Sequence, residues 1–224
     1  MPEALAPAVV TAPSLLYRVG KSEGPIHFSH LDPIAAELPD VGNRFDVLGA
    51  GVMYASTEQV GAYKETIAFA RPSASSHLYG PLKDEHYMNA GNLPADWRAR
   101  RRLLAFALED DLPFIDLEAD ETLSYLTEAM AETLHALEIE LLDQSVVRGP
   151  NRILTRAIAS HIYTAVDSND EALYSGIRYA SRFGSHEAWA IFEGVRVEPK
   201  SFGSIEANDP YLRAACRAMN VTVH

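Results

Sequence analysis

Gly51-Val52-Met53-Tyr54-Ala55-Ser56-Thr57-Glu58-Gln59 contains a short apolar strand that runs directly into a helix, and this pattern guides the interpretation of the whole chain. Ser56 and Gln59 match an S-x-x-Q capping box, which predicts that the Ser56 side chain caps the N3 amide while Gln59 reaches back to the Ser56 amide. The helix should end before Arg71-Pro72, because proline disfavours helical geometry in the residue before it. Glu65 falls in the middle of this helix. A solvated surface glutamate is the ordinary interpretation of such a residue, so any further role needs support from elsewhere in the chain.

Other segments of the chain continue the mixture of strands and helices. Apolar runs of strand length occupy residues 15–19, 102–108, 113–117, 176–181 and 189–192. Leucine and methionine recur at three- and four-residue steps over residues 120–143, which predicts a helix. Asn151 can cap a second helix, and Asp209-Pro210 supplies an N-cap followed by proline at the first helical position. The pattern predicts an α/β fold of the mixed α+β type, with mixed sheets and flanking helices.

The domain organisation follows from the distribution of these segments. We expect residues 1–13 to form a flexible N-terminal arm. We expect residues 14–224 to form a single compact domain with a C-terminal helical extension over residues 209–219. Residues 21–42, which are rich in Pro, Gly, His and Asp, predict a long loop inside the domain. A loop of this length inside a compact domain is usually functional, or else it contains elements that the sequence pattern does not reveal.

Composition and charge exclude several classes of function. The formal net charge is −12, which does not suit direct binding of nucleic-acid phosphates but would suit a basic partner. A single cysteine, Cys216, excludes an intrachain disulfide and a CxxC site. No apolar run approaches the roughly 18 residues of a membrane span, and residues 1–13 lack the basic start of a signal peptide. We therefore expect a cytoplasmic protein without membrane association.

Common catalytic signatures are absent from the chain. It contains no G-x-G-x-x-G, Walker A, H-E-x-x-H or G-x-S-x-G motif. His27 and His30 are three residues apart, but a metal site would need further ligands beside them. We predict no metal site.

Arg18, Arg44, Tyr54, Glu65 and Ser181 are the candidate site residues, and all lie at strand ends or on the helix. Each has an ordinary explanation when it is considered singly. Together they supply bidentate donors for phosphate, a carboxylate that can stabilise positive charge on a ribose carbon and an aromatic face for a planar base. The set therefore favours binding of a pyrophosphate and cleavage of a glycosidic bond.

The stretches that carry this set resemble the RES-domain family, which is named for its arginine, glutamate and serine. The matching stretches are Leu16-Tyr17-Arg18-Val19, Asn43-Arg44-Phe45, Gly51-Val52-Met53-Tyr54-Ala55-Ser56 leading to Glu65-Thr66, Leu154-Thr155-Arg156-Ala157-Ile158-Ala159, Gly176-Ile177-Arg178-Tyr179-Ala180-Ser181-Arg182 and Trp189-Ala190-Ile191-Phe192. They occur in the family's order over residues 14–195.

The resemblance implies a fold similar to the ADP-ribosyltransferase core and an activity that destroys NAD. It also implies that the protein is the toxin of a toxin–antitoxin pair and is held inactive by a cognate antitoxin with a DNA-binding domain. The protein would then form a hetero-oligomer with its antitoxin, or a homo-oligomer. NAD would be the substrate and phosphate the co-substrate of an NAD phosphorylase, without any further cofactor. Water or a macromolecule remains an alternative acceptor, the latter making the protein an ADP-ribosyltransferase. A catalytically silent interaction protein is the other alternative.

The resemblance also implies a role for each residue, carried over by position. Arg18 and Arg44 would hold the phosphates of NAD or the attacking phosphate, and Tyr54 would line the nicotinamide end. Glu65 would bind the ribose hydroxyls and stabilise the oxocarbenium-like transition state. Ser181 would orient the substrate. Glu65, Arg44 and Ser181 are thus the expected catalytic residues.

Overall fold

An eight-stranded mixed sheet forms the centre of the part of the chain that the structure describes. The computed structural model describes residues 5–34, 36, 38, 41–79, 89–109 and 112–224. The strands are β1 (Val9–Val10), β2 (Leu16–Lys21), β3 (Val52–Ser56), β4 (Asn92–Leu93), β5 (Arg101–Glu109), β6 (Phe114–Asp116), β7 (Gly176–Ala180), β8 (Glu187–Phe192), β9 (Arg196–Ser204) and β10 (Thr222–Val223). The helices are α1 (Gln59–Ile67), α2 (Ala74–Tyr79), α3 (Ala95–Ala99), α4 (Asp120–Ala129), α5 (Ala131–Ala136), α6 (Gln144–Arg148), α7 (Arg152–Tyr163) and α8 (Pro210–Met219), and a 3-10 turn (Ala68–Ala70) follows α1.

The strand order brings distant parts of the chain together. The order in the large sheet is β1-β6-β7-β8-β3-β2-β5-β9. Strands β6 and β7 are parallel, and the other described neighbours in this sheet are antiparallel. A separate parallel pair joins β4 to β10. The predicted mixed α/β fold is thereby confirmed, and β3 from the first quarter of the chain lies beside β8 from the last quarter.

Side-chain alternation along β3 and β8 divides the core into two layers. Val52 and Ala190 face a cluster that contains side chains of α4 to α7, such as Leu154. Met53 and Ile191 point to the opposite face and pack in a second cluster. A third cluster joins α1 to α8. Apolar burial on both faces fixes the register of β3, and therefore the point at which α1 begins.

The start of α1 differs from the predicted capping box. Ser56 is the last residue of β3 and is fully buried. Its hydroxyl donates to the carbonyl of Glu187 (2.9 Å) and accepts from the backbone amide of Glu58 (3.3 Å), while Glu58 is the N-cap and makes no side-chain cap bond. The capping box is therefore wrong, because the Ser56 hydroxyl accepts from the amide of Glu58 rather than that of Gln59, and the N-cap lies two residues later, at Glu58. The predicted end before Arg71-Pro72 is confirmed.

The helix predicted over residues 120–143 is divided into two shorter helices. Met130 ends α4 and begins α5 with non-helical backbone angles, and Glu138 has a positive φ of 58° beyond the end of α5. Leu123, Leu126 and Leu134 are buried as the periodicity indicates, whereas Leu141, which continues the same series, is 61% exposed beyond the end of α5. The spacing of apolar residues identified the buried face but could not show where the backbone turns.

The N-terminal arm is attached to the sheet where the structure describes it. Residues 1–4 of the predicted arm lie outside the described residues. Val9 and Val10 form β1 and pair with Ile115 and Phe114 of β6, as suits two β-branched residues. Residues 9 and 10 of the predicted arm thus form a short edge strand.

Helix α7 holds the end of the loop over residues 21–42 against the domain. Arg156 is 8% exposed, and its guanidinium donates to the carbonyls of Ala36 (2.7 Å), Leu38 (3.4 Å) and Val41. Residues 35, 37, 39 and 40 of this loop lie outside the described residues. One buried arginine therefore fixes the chain immediately before Arg44.

Candidate active site

A cleft with a volume of about 360 Å³ opens between β2 and β3, beside α1. The two strands pair at Tyr17 and Ser56, and residues beyond that pair line the opening. The lining residues are Tyr17, Arg18, Val19, Asn43, Arg44, Tyr54, Ala55, Ala62, Glu65, Thr66, Ala68, Arg152, Tyr179, Arg182 and Phe183. Among the described residues, four arginines and one carboxylate therefore face one cavity in a protein whose formal net charge is −12.

Glu65 and Ser181 are joined directly at this cleft. The Ser181 hydroxyl donates to Glu65 Oε1 and accepts from the backbone amide of Phe183 (2.9 Å). His186, which is 4% exposed, places Nε2 at 3.5 Å from the same carboxylate oxygen. The Glu65 side chain remains 33% exposed, and Oε2 makes no hydrogen bond with any residue that the structure describes. The carboxylate is thus oriented by one oxygen and open to a ligand through the other.

Gly61 allows α1 to approach closely enough for this contact. A Cβ added at Gly61 would lie 2.5 Å from Cδ2 of His186 and closer still to Oγ of Ser56. Gly61 and Glu65 are four residues apart and therefore share one face of the helix. Because the helix face at Gly61 lies directly against these buried side chains, Glu65 one turn later reaches Ser181.

Arg44 lies at the inner wall of the cleft and is largely buried. Its Nη2 donates to the carbonyl of Val147 (2.8 Å), and its guanidinium carbon lies 5.0 Å from the ring centroid of Phe45 and 5.3 Å from that of Tyr179. Burial lowers the pKa of Arg44, and the nearby Tyr179 acts in the opposite direction. The charge is thus held in place by a carbonyl and two aromatic rings.

Arg18 bridges the opening between the two strands. Its Nη1 donates to the carbonyl of Tyr54 (2.8 Å), and its Nη2 donates to the carbonyl of His27 (3.3 Å). Burial lowers the pKa of Arg18 to about 10, so the guanidinium stays protonated at neutral pH. Arg18 therefore provides a fixed positive charge and also joins β2 to β3.

Tyr54 lines the cleft, and its hydroxyl is engaged away from it. The hydroxyl donates to Asp46 Oδ1 (2.8 Å) and accepts from the backbone amide of Phe45 (3.1 Å). Burial raises the pKa of Tyr54, and the carboxylate of Asp46 adds to the effect. The aromatic face is therefore the part of Tyr54 that is available to a ligand.

The structure brings all five predicted residues to this one region. Ser181 contributes through its bond to Glu65 rather than as a lining residue. The sequence analysis missed Tyr179, Arg182 and His186. Tyr179 and Arg182 flank Ser181 closely in the chain, so their proximity was a usable signal. His186 had none, because its approach to Glu65 depends on the turn between β7 and β8.

The described residues hold neither a metal-binding cluster nor a membrane-spanning helix. No group of three or more His, Cys, Asp or Glu side chains in this part of the chain is arranged to hold a metal ion, and His30 lies 3.4 Å from Glu193. Within the same residues, every helix is too short or too polar to cross a bilayer.

Comparison with known proteins supplies a family for these features. The model of the RES domain matches residues 15–207, which includes every predicted site residue. A search of curated proteins found no match. Among solved structures, the chain is similar to the MbcT–MbcA toxin–antitoxin complex of M. tuberculosis, with a TM-score of 0.49, 11% sequence identity and coverage of 95% of this chain and 91% of that chain.

Proposed function

Because the chain belongs to the RES domain family, we propose that it is a toxin that degrades NAD by cleaving the bond between nicotinamide and ribose. Inorganic phosphate is the proposed acceptor, so that the products are nicotinamide and an ADP-ribose phosphate. The observation that carries the proposal is the Glu65 carboxylate, held by Ser181 at a cleft that four arginines line. One carboxylate in a positively charged cavity suits a substrate with a phosphate chain and a reaction centre that becomes cationic.

The proposed reaction breaks one bond and forms one bond at the same ribose carbon. The carbon–nitrogen bond breaks with its electron pair moving to the nicotinamide ring, which loses its positive charge and leaves as a neutral molecule. The ribose carbon then carries oxocarbenium character, and an oxygen of phosphate supplies the electron pair for the new carbon–oxygen bond. Enzymes accelerate such steps by stabilising the charge that develops in the transition state.

Glu65 stabilises this charge and binds the ribose. Its Oε1 accepts a hydrogen bond from the Ser181 hydroxyl, so the carboxylate is already oriented before substrate binds. Its Oε2 makes no hydrogen bond within the described residues, which leaves an acceptor for a ribose hydroxyl. Ser181 thus acts as a positioning residue in this proposal.

The arginines and the tyrosine position the two ends of the dinucleotide. Arg18 and Arg44 carry their charges toward the cleft while each donates to a backbone carbonyl, and they attract the phosphates. The Tyr54 ring packs against the planar nicotinamide. The site needs no further cofactor in this proposal, because NAD is the substrate.

The proposed biological context is a toxin–antitoxin pair in the cytoplasm. A cognate antitoxin with a DNA-binding domain would hold the protein inactive, and the strongly negative protein suits a partner with a basic surface. Membrane association and direct nucleic-acid binding form no part of the proposal.

Incubation of purified protein with NAD, with and without phosphate, tests the proposal. Chromatography should detect free nicotinamide, and an ADP-ribose phosphate should form only when phosphate is present. Glu65→Gln should reduce turnover by about 100- to 1,000-fold, the usual loss when one transition-state contact is removed. Glu132→Gln is the matched control, because Glu132 is exposed on α5 outside the cleft.

Other outcomes separate the alternatives. Persistence of NAD in the presence of phosphate would contradict the proposal. Label from NAD that remains on an added macromolecule would identify ADP-ribosyl transfer instead. Unchanged behaviour of folded Glu65→Gln, in a protein that consumes no NAD, would favour an interaction protein.

A further inference from the structure

The arginines that line the cleft differ in whether they donate hydrogen bonds to other parts of the protein. Arg18 and Arg44 donate to the carbonyls of Tyr54 and Val147, and Arg152 donates to the carbonyl of Gly42. Arg182 also lines the cleft, yet it makes no hydrogen bond or ion pair with any residue that the structure describes.

We propose that Arg182 is the guanidinium that captures a phosphate group in this cleft, and this inference rests on the proposed function. The ligand class is a phosphate oxygen, supplied either by the dinucleotide substrate or by inorganic phosphate. Arg18 and Arg44 then act as fixed charges that shape the field, while Arg182 closes its bidentate fork on the anion. Sequence reasoning assigned this role to Arg18 and Arg44 alone.

The position of Arg182 suits this role because its backbone is anchored beside the reactive carboxylate. Ser181, the preceding residue, donates its hydroxyl proton to Glu65 and its backbone amide proton to the carbonyl of His186 (3.1 Å). The Ser181 hydroxyl also accepts from the amide of Phe183. The main chain on either side of Arg182 is therefore fixed, while its side chain is exposed.

The side chain itself has only a weak contact. Its guanidinium carbon lies 6.0 Å from the ring centroid of Phe183, which is the outer limit of a cation–π interaction. An anion that accepts two N–H bonds would replace this contact at little cost.

Electrostatics favour an anion between Arg182 and the inner wall of the cleft. Burial is the main cause that lowers the pKa of Arg44, and the positive charge of Arg182 adds to it. The same charge acts on the Tyr179 hydroxyl. Burial raises the pKa of this hydroxyl, and the charge of Arg182 opposes the rise. Arg182 and Arg44 are therefore close enough to repel each other, and a phosphate between them would replace this repulsion with two attractions.

Steady-state kinetics of Arg182→Gln test the inference and identify the source of the phosphate. The KM for inorganic phosphate is measured at saturating NAD, and the KM for NAD at saturating phosphate. One of these values should rise about tenfold or more, the loss expected for one charge-assisted hydrogen bond, while kcat changes much less. A rise for phosphate assigns Arg182 to the co-substrate, and a rise for NAD assigns it to the dinucleotide.

Two variants serve as controls for charge and folding. Arg182→Lys keeps the charge but loses the bidentate fork, so it should recover only part of the affinity. Arg217→Gln removes an exposed arginine from α8, outside the cleft, and should leave both KM values unchanged. All three variants should retain the wild-type melting temperature, because Arg182 has no hydrogen bond or ion pair to lose within the described residues.

Equilibrium binding without turnover separates this inference from the proposed function. Calorimetric titration with inorganic phosphate and with ADP-ribose should give weaker binding in Arg182→Gln for at least one of them. If wild type binds them through Arg182 but never consumes NAD, the phosphate site stands and the proposed function fails. If wild type consumes NAD while Arg182→Gln matches it in both KM values and both affinities, the inference is overturned and the function stands. An equal loss in Arg217→Gln would also overturn it.

Discussion

Replacement of Gly61 by alanine should destabilise the protein, although alanine is the better helix former. The new Cβ would lie 2.5 Å from Cδ2 of His186 and closer still to Oγ of Ser56. Ser56 and His186 are 0% and 4% exposed, and the Ser56 hydroxyl is bound to the carbonyl of Glu187. Neither side chain can move aside without the loss of buried contacts.

Two opposing effects set the size of the change. Helix propensity favours alanine over glycine by about 1 kcal/mol, whereas overpacking of a buried site costs about 1–3 kcal/mol. The net loss should therefore reach up to about 2 kcal/mol, which corresponds to a fall in melting temperature of about 4–8 °C for a chain of this length. Movement of α1 away from β8 would also draw Glu65 from Ser181, so the proposed NAD turnover should fall as well.

Chemical denaturation followed by circular dichroism measures the free energy of unfolding, and an NAD assay measures turnover. Gly203→Ala is the matched control, because a Cβ at Gly203 in β9 would meet no atom within 4 Å. The control should stay within about 0.5 kcal/mol of wild type, as surface substitutions usually do. A Gly61→Ala protein that gains about 1 kcal/mol, the value of helix propensity alone, would refute the close approach of α1.

Two further predictions concern Arg156, which anchors the loop, and the buried thiol of Cys216. Arg156→Met should lower the free energy of unfolding by about 1–3 kcal/mol, because loop carbonyls lose a charged donor. Under the proposed function it should also raise the KM for NAD by loosening the chain before Arg44. Unchanged denaturation and kinetics would contradict the anchoring role. Stability should also fall as the pH rises above about 9, because burial raises the pKa of Cys216 from 9.0 to about 11. Between these values the unfolded thiol loses its proton while the folded one keeps it, so the free energy of unfolding falls by at most about 1.4 kcal/mol per pH unit. Urea denaturation at pH 8, 9, 10 and 11 checks this slope, which Cys216→Ala should reduce.

The strands of the sheet could be predicted from sequence because each carries its own apolar signal. The run that contains Val52 and Met53 is buried on both faces in the structure, as its continuous apolar character indicates. The capping box failed for the opposite reason. A local motif cannot show that the Ser56 hydroxyl meets the Glu187 carbonyl from a segment 131 residues away.

The candidate site shows the same division between local and distant information. The resemblance to a family placed Glu65 and Ser181 together, and the structure joins them across 116 residues. The sequence could not show that Arg18 and Arg44 donate to the backbone carbonyls of Tyr54 and Val147. Both arginines were therefore interpreted as free to bind phosphate. Arg182 was overlooked because an arginine beside a turn is usually a solvated residue. Its significance depends on which neighbouring arginines already have partners.

The interleaved strand order has a consequence for how the protein is made. Strand β8 lies between β7 and β3, so a ribosome must synthesise most of the chain before Glu65 can meet Ser181. Nascent chains that stop before Glu187 lack this strand and cannot assemble the cleft, because β3 and β7 then have no strand between them. The joined Glu65–Ser181 pair can therefore exist only in chains that extend into the last fifth of the sequence.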